Sequence, residues 1–172
     1  MTHPLQQFKF CPKCGSRNFK INNEKSKKCA DCGFVYYFNS SASVVAIINN
    51  DKDEILVARR AKEPAKGTFD LPGGFVDMHE TAEEAVAREV LEETRLIVNS
   101  SKYLFTIPNI YVYSGFEVHT VDMFFACEIK DFEPIKAQDD VAELLFIDKK
   151  KINPADFGLT SIRQGVEKML KS

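Results

Sequence analysis

The stretch from Gly74 to Leu96 constrains this chain more than any other: Gly74 is followed by Glu80 and then by Arg88-Glu89-Val90-Leu91-Glu92-Glu93-Thr94-Arg95-Leu96. Thr81 with Glu84 three residues on makes a capping box, and Ala82, Ala85 and Ala87 are strong helix formers, so a helix is predicted over 81–94. At about 100° per residue, Glu89, Glu92 and Glu93 fall within an arc of about 100° on one helix face. Carboxylates four residues apart repel and destabilise a bare helix, and the ordinary meaning of such a run is a solvated, salt-bridged surface. A hard divalent cation relieves the repulsion differently. Mg²⁺ prefers oxygen ligands, keeps several waters, and is held jointly by carboxylates and substrate phosphates. Such an ion neutralises a diphosphate and lowers the pKa of a bound water. Gly73-Gly74 ahead of the helix lets backbone approach ion and phosphates without a Cβ clash. Arg88, on an adjoining face, can orient a carboxylate bidentately, with Glu80 a partner from the loop.

This segment resembles the Nudix box, Gly-x5-Glu-x7-Arg-Glu-U-x-Glu-Glu-x-Gly-U with U a bulky aliphatic residue, and matches every fixed position except one, where Arg95 replaces the last glycine. Ile55-Leu56-Val57-Ala58-Arg59-Arg60 and Phe69-Asp70-Leu71-Pro72-Gly73-Gly74 are similar to the family's approach to the box, and the likeness runs over roughly 42–171. The resemblance implies an α/β (α+β) fold, the Nudix α/β/α sandwich with a mixed sheet. It implies Mg²⁺ or Mn²⁺ held by Glu89, Glu92 and Glu93 with the Gly73 carbonyl, and Arg88 and Glu80 in support. For the base that activates water it implies either Glu89 or an acidic residue in a later loop. Asp140 is favoured there, with Asp139 beside it and Glu143 behind, although an acidic turn before the next strand reads equally well. An arginine at the glycine position costs on the order of 1 kcal/mol if the backbone is left-handed there.

Ahead of this lie Cys11-x2-Cys14 and Cys29-x2-Cys32, each followed by glycine. Four sulfurs saturate tetrahedral Zn²⁺ and leave no open position, so a structural zinc site is expected rather than two redox pairs. The pattern resembles a zinc ribbon. Composition shifts near 39–41, so residues 1–38 are expected to form the ribbon and 39–172 the Nudix hydrolase domain. Lys20, Lys25, Lys27 and Lys28 could touch RNA, but a small module stapled by metal is the simpler reading. Cys127, in an apolar run, is expected to be a small buried hydrophobe.

Strands are expected over 43–48 and 54–59 as a hairpin around the polar turn 49–53, and further strands at 18–21, 34–38, 96–98, 102–106, 118–129 and 142–147. A closing helix is expected over 159–170 from the spacing of Leu159, Ile162, Val166, Met169 and Leu170. The net charge of −2 argues against a broad nucleic-acid surface without excluding one. No apolar run reaches a membrane span and the first residues lack a signal peptide's apolar region, so a cytoplasmic protein is expected.

Nudix proteins with such a ribbon include hydrolases of NADH, ADP-ribose and related dinucleotides, and the resemblance implies that class of substrate, cleaved to a nucleoside monophosphate and a phosphorylated remainder. The chain has no Trp and lacks the Ser-Gln-Pro-Trp-Pro-Phe-Pro array of the NADH enzymes. In its place 105–115 carries Tyr111 and Tyr113, which with Phe116 can stack on a base or simply line a strand. Arg60, Phe69 and Gly74 are further candidates for contacting the substrate. The alternative function is a non-catalytic nucleotide-sensing or RNA-associated module. Family likeness also suggests a homodimer.

Overall fold

The computed structural model describes residues 3–171, with the side chain of Tyr111 outside the described set. The chain divides between Ser40 and Ser41 into two compact units.

The first unit is an antiparallel meander of β1 (Phe19–Asn23), β2 (Ser26–Cys29) and β3 (Val35–Tyr37). Its core is small: Cys11, Phe19 and Cys29, with Cys32 and Phe34 against them. β2, of sequence Ser-Lys-Lys-Cys, has no apolar alternation and was not expected; pairing to both neighbours makes it a strand. Lys27 is buried over the Phe19 ring and donates to the Phe8 carbonyl at 2.6 Å, so it is a packing residue, not a surface cation.

The second unit holds β4 (Ser41–Ile48), β5 (Glu54–Arg60), β6 (Phe69–Asp70), β7 (Gly73–Phe75), α1 (Ala82–Thr94), β8 (Val98–Tyr113), β9 (Phe116–Ile129), β10 (Val141–Asp148) and α2 (Thr160–Leu170). One sheet has the order β7-β4-β9-β8 and the other β10-β5-β6. β4 runs parallel to β9 and antiparallel to β7, so the larger sheet is mixed. The run Val44 to Ile48 is buried throughout because β4 is covered on both faces. Val45 and Ile47 point into a core shared with Ile162, Val166 and Met169 of α2. Val44, Ala46 and Ile48 point into the other, shared with Ala85, Val86 and Val90 of α1. The period of two thus places one helix on each face, the α/β/α sandwich expected. Cys127 is buried in the α1 core, and burial pushes its thiol up to about 12. Among the described residues no helix is long and apolar enough to cross a membrane.

The structure corrects two expectations. β4 and β5 do not form a hairpin: they lie in different sheets, joined only by an isolated bridge between Asn49 and Ile55, because β4 takes β7 and β9 while β5 takes β6 and β10. β8 is far longer than expected and carries the 105–113 segment as strand, paired with β9 out to Tyr113 and Phe116.

α1 begins as its sequence requires, with both bonds of the Thr81–Glu84 capping box formed. It ends at Arg95 in the left-handed region (φ 63°, ψ 5°), whose N–H returns to the Leu91 carbonyl at 2.9 Å. The N–H groups of Lys136 and Gln138 satisfy the Thr94 and Glu93 carbonyls at 2.9 and 3.0 Å. Arg95→Gly removes the Cβ penalty and adds back some chain entropy. A net gain of up to about 1 kcal/mol, or roughly 2–4 °C in thermal midpoint, is expected by calorimetry; a lower midpoint would show that the arginine side chain stabilises the turn.

Candidate functional site

Arg88 organises the carboxylates around α1. Its Nε and Nη2 donate to the two oxygens of Glu80 at 2.8 and 2.9 Å, a bidentate pair, and Nη2 also donates to the Phe75 carbonyl at 3.0 Å. Nη1 donates to Glu89 at 2.8 Å and Glu92 at 3.2 Å. The Asp77 N–H adds a bond to Glu80 at 2.9 Å. Arg88 foremost, and the Asp77 amide next, hold the Glu80 carboxyl below the usual range.

On the inner side of the helix the electrostatics reverse. Glu93 accepts the Gly73 N–H at 3.1 Å. Loss of solvent pushes its carboxyl up to about 8, with the charges of Asp70, Glu89 and Asp139 adding and the Gly73 N–H opposing. Glu89 is raised too, by burial above all, with Arg88 opposing. Two carboxyls here are therefore short of positive charge while Glu80 has enough. They do not converge on one point: Arg88 draws Glu89 and Glu92, and Gly73 draws Glu93. A divalent cation fits this donor set by charge and chemistry, and it has to compete with Arg88 for Glu89 and Glu92.

The glycines are dictated by contact. A Cβ on Gly73 would overlap the Val44 carbonyl, and one on Gly74 would overlap the Glu89 carboxylate. The first glycine lets β7 lie against β4 in the register Val45–Gly73, Val44–Gly74. The second leaves space for the Glu89 carboxylate.

A cavity of about 330 Å³ opens beside them. Gly73, Gly74 and Phe75 form one wall, and Arg60, Asp70, Asn109, Tyr113, Thr120, Asp122 and Asp140 are among the other lining residues. Asp122, 4% exposed, accepts hydrogen bonds from Ser43 (2.9 Å), Thr120 and Ser161. Asn109, Thr120 and Asp122 escaped the sequence reading, although polar residues in strands with an otherwise apolar inward face were the available signal.

Other expected site residues fall as follows. Arg60 lines the cavity with its guanidinium tied to Asp70 and to the Pro64 carbonyl at 2.7 Å. Tyr113 stands at the rim, 62% exposed. The Tyr111 side chain lies outside the described residues. Phe69 is not among the cavity-lining residues; it packs under Arg59 (4.7 Å) and near Phe157 (6.0 Å). Asp140 lines the cavity and pairs with Lys62, which also reaches Asp139 at 4.0 Å. Glu143 instead pairs with Arg59 at 3.0 Å.

In the first unit the four cysteine sulfurs all lie within 4.8 Å of one another. The Cys11–Cys32 and Cys14–Cys29 separations are both 3.7 Å. That is far beyond a disulfide bond and close to the ~3.8 Å edge of a tetrahedron with metal–sulfur distances of about 2.3 Å. The two knuckles are built alike: Gly15 N–H bonds to the Cys11 carbonyl and Gly33 N–H to that of Cys29, and both glycines have φ of 73°. Backbone N–H groups of Cys32 and Asp31 help pull the Cys29 thiol down to about 7.

A sequence profile of the NUDIX domain matches residues 39–166. The NAD-capped RNA hydrolase NudC of Vibrio atlanticus (strain LGP32) is 34% identical over 106 residues, 62% of this chain and 39% of the relative. NudC of Haemophilus influenzae (strain PittGG) is 34% identical over 110 residues, 63% of this chain and 41% of the relative. The match thus spans well under half the length of these relatives. A NUDIX hydrolase from Nitrosomonas europaea superposes with a TM-score of 0.73 at 23% identity, over 95% of this chain and 90% of the other. The NUDIX domain of Shewanella oneidensis NrtR complexed with ADP ribose gives 0.62 at 20% identity, over 78% and 89%.

Glu93 yields a pH dependence. Its folded pKa of about 8 lies above the ordinary 4.5, so between these values the native state holds a proton that the unfolded chain has released. The stability this gives is full below about pH 4.5 and is lost as pH rises through about 8. Metal-free protein is expected to lose on the order of a few kcal/mol across that window, and Glu93→Gln to lose less, by denaturant unfolding at several pH values. Identical slopes would reject the shift.

Proposed function

Because the chain belongs to the NUDIX domain family, we propose that it hydrolyses the diphosphate of a nucleoside diphosphate joined to a second moiety, as in NADH, ADP-ribose or FAD. The products are a nucleoside monophosphate and a phosphorylated remainder. One observation carries the reading: the under-compensated carboxyls of Glu89 and Glu93 stand against Gly73 and Gly74, which also wall the cavity. The relatives' names support a nucleotide substrate with a diphosphate linkage.

In this reading Glu89, Glu92, Glu93 and the Gly73 carbonyl hold Mg²⁺ or Mn²⁺. Such an ion, when bound, neutralises the diphosphate and acidifies a water. The chain's own residues supply the positioning. Glu80 fixes Arg88, and Arg88 in turn orients Glu89 and Glu92. Asp140, at the cavity wall and paired with Lys62, takes the proton of the attacking water. Arg60, clamped by Asp70, faces the substrate, and Tyr113 at the rim offers a ring to stack on a base. We assign residues 1–38 as a zinc ribbon, with Cys11, Cys14, Cys29 and Cys32 holding a structural Zn²⁺ in place of the core so short a segment lacks.

Incubation with Mg²⁺ or Mn²⁺ and NADH, ADP-ribose, FAD, dinucleoside polyphosphates or damaged deoxynucleotides, read by product mass, tests the activity. Cleavage within the diphosphate of at least one is expected, and survival of all would refute it. Glu92→Gln or Glu93→Gln should lower turnover by about two orders of magnitude or more with the fold kept by circular dichroism. Elemental analysis is expected to find about one zinc per chain, and strong chelation to unfold the ribbon selectively; a metal-free ribbon with unchanged structure would refute that assignment.

A further inference from the structure

Asn109 is used by neither the packing nor the chemistry described above. It lies on β8 opposite Thr120, on the strand face it shares with buried Ile107 and with Tyr113. It is 8% exposed, lines the cavity, and its side-chain amide has no hydrogen-bond partner among the described residues. Its polar neighbours in the cavity wall are engaged. Asp122 accepts from Ser43, Thr120 and Ser161, and Asp70 from Arg60 and the Leu71 N–H. Arg60 also donates to the Pro64 carbonyl. Among the described residues no side-chain polar atom is both buried and unpaired, so this amide meets the solvent of the cavity and is open to a ligand there.

We propose that Asn109 is a specificity-determining residue that reads a planar ring edge bearing an N–H donor next to an acceptor. An amide presents one donor and one acceptor side by side, and its complement is the amino group of adenine with a neighbouring ring nitrogen, or the carboxamide of nicotinamide. Tyr113, two steps along the same strand face and at the cavity rim, supplies a surface for the ring. The volume of about 330 Å³ is of the size that takes such a base and its sugar. Gly73 and Gly74, on another strand of the same sheet, also line the cavity and stand against Glu93 and Glu89, where the phosphate end of such a ligand belongs. The inference deepens the proposed function, resting on its reading that a nucleotide occupies this cavity.

The test is calorimetric binding to the full chain, in two pairs of ligands. Adenosine monophosphate is compared with purine riboside monophosphate, which lacks the amino group. Nicotinamide mononucleotide is compared with nicotinic acid mononucleotide, which lacks the amide. Wild type is expected to prefer the amino- or amide-bearing member of at least one pair by about tenfold or more. The pair that discriminates tells which half of a dinucleotide the cavity takes. Asn109→Leu should erase that preference with the fold kept by circular dichroism, since no hydrogen bond of the Asn109 amide is lost among the described residues. Equal affinities within both pairs for wild type, or a preference that survives in Asn109→Leu, overturns the inference. Hydrolysis is followed separately by product mass. Discrimination without cleavage would keep the role of Asn109 and reject the hydrolase reading, and cleavage without discrimination would do the reverse.

Discussion

A single guanidinium decides how the carboxylates around α1 can coexist. Arg88 spends its donors on Glu80, Glu89, Glu92 and the Phe75 carbonyl, so it bonds the helix to the segment that leads into it. The bidentate pair with Glu80 is the strongest of these contacts by geometry. It leaves Glu80 well compensated and makes that residue a structural partner. On the inner side charge stays costly: burial raises Glu89 despite its bond to Arg88, and raises Glu93, which accepts the Gly73 N–H. Glu80, in the loop ahead of the helix, is thereby set apart from Glu89 and Glu93 on it.

The larger sheet shows a second division of labour. On the face toward α2, Val45, Ile47, Ile107 and Phe124 build a core. Further along the same strands, Ser43, Asn109, Thr120 and Asp122 take their places at matching registers. The face changes from apolar to polar where β4, β8 and β9 approach the start of α2, and Ser161 from that helix closes onto Asp122. The cavity is thus a place where the alternation continues but the residue type changes, which keeps a polar floor on rigid strands instead of a mobile loop.

This explains what was legible in the sequence. The helix, its capping box and the glutamate spacing are local, set by contacts three or four residues apart, and they appear as read. The left-handed ending at Arg95 was equally local. Pairing partners were not legible: β4 and β5 flank a polar turn, yet each finds its neighbours elsewhere, since burial on both faces outweighs the short connection. The aromatic stretch after Phe105 read as a separate feature because its role depends on β9, which lies beyond the turn at Ser114 and Gly115. The polar floor needs three strands and a helix at once. Lys27 likewise read as one of a run of surface lysines, and only the fold shows that its ammonium closes onto Phe8.

β4 carries one further consequence, concerning the changes this protein can tolerate as it diverges. Its alternate residues belong to different cores, and Val44 and Val45 also fix the register of Gly74 and Gly73. Exchanging one aliphatic for another of similar volume disturbs one core only. An insertion or deletion of one residue would send every following side chain to the wrong face and move the glycine pair away from Glu89 and Glu93. The strand can drift in composition, but its length is locked by two hydrophobic cores and a carboxylate site together.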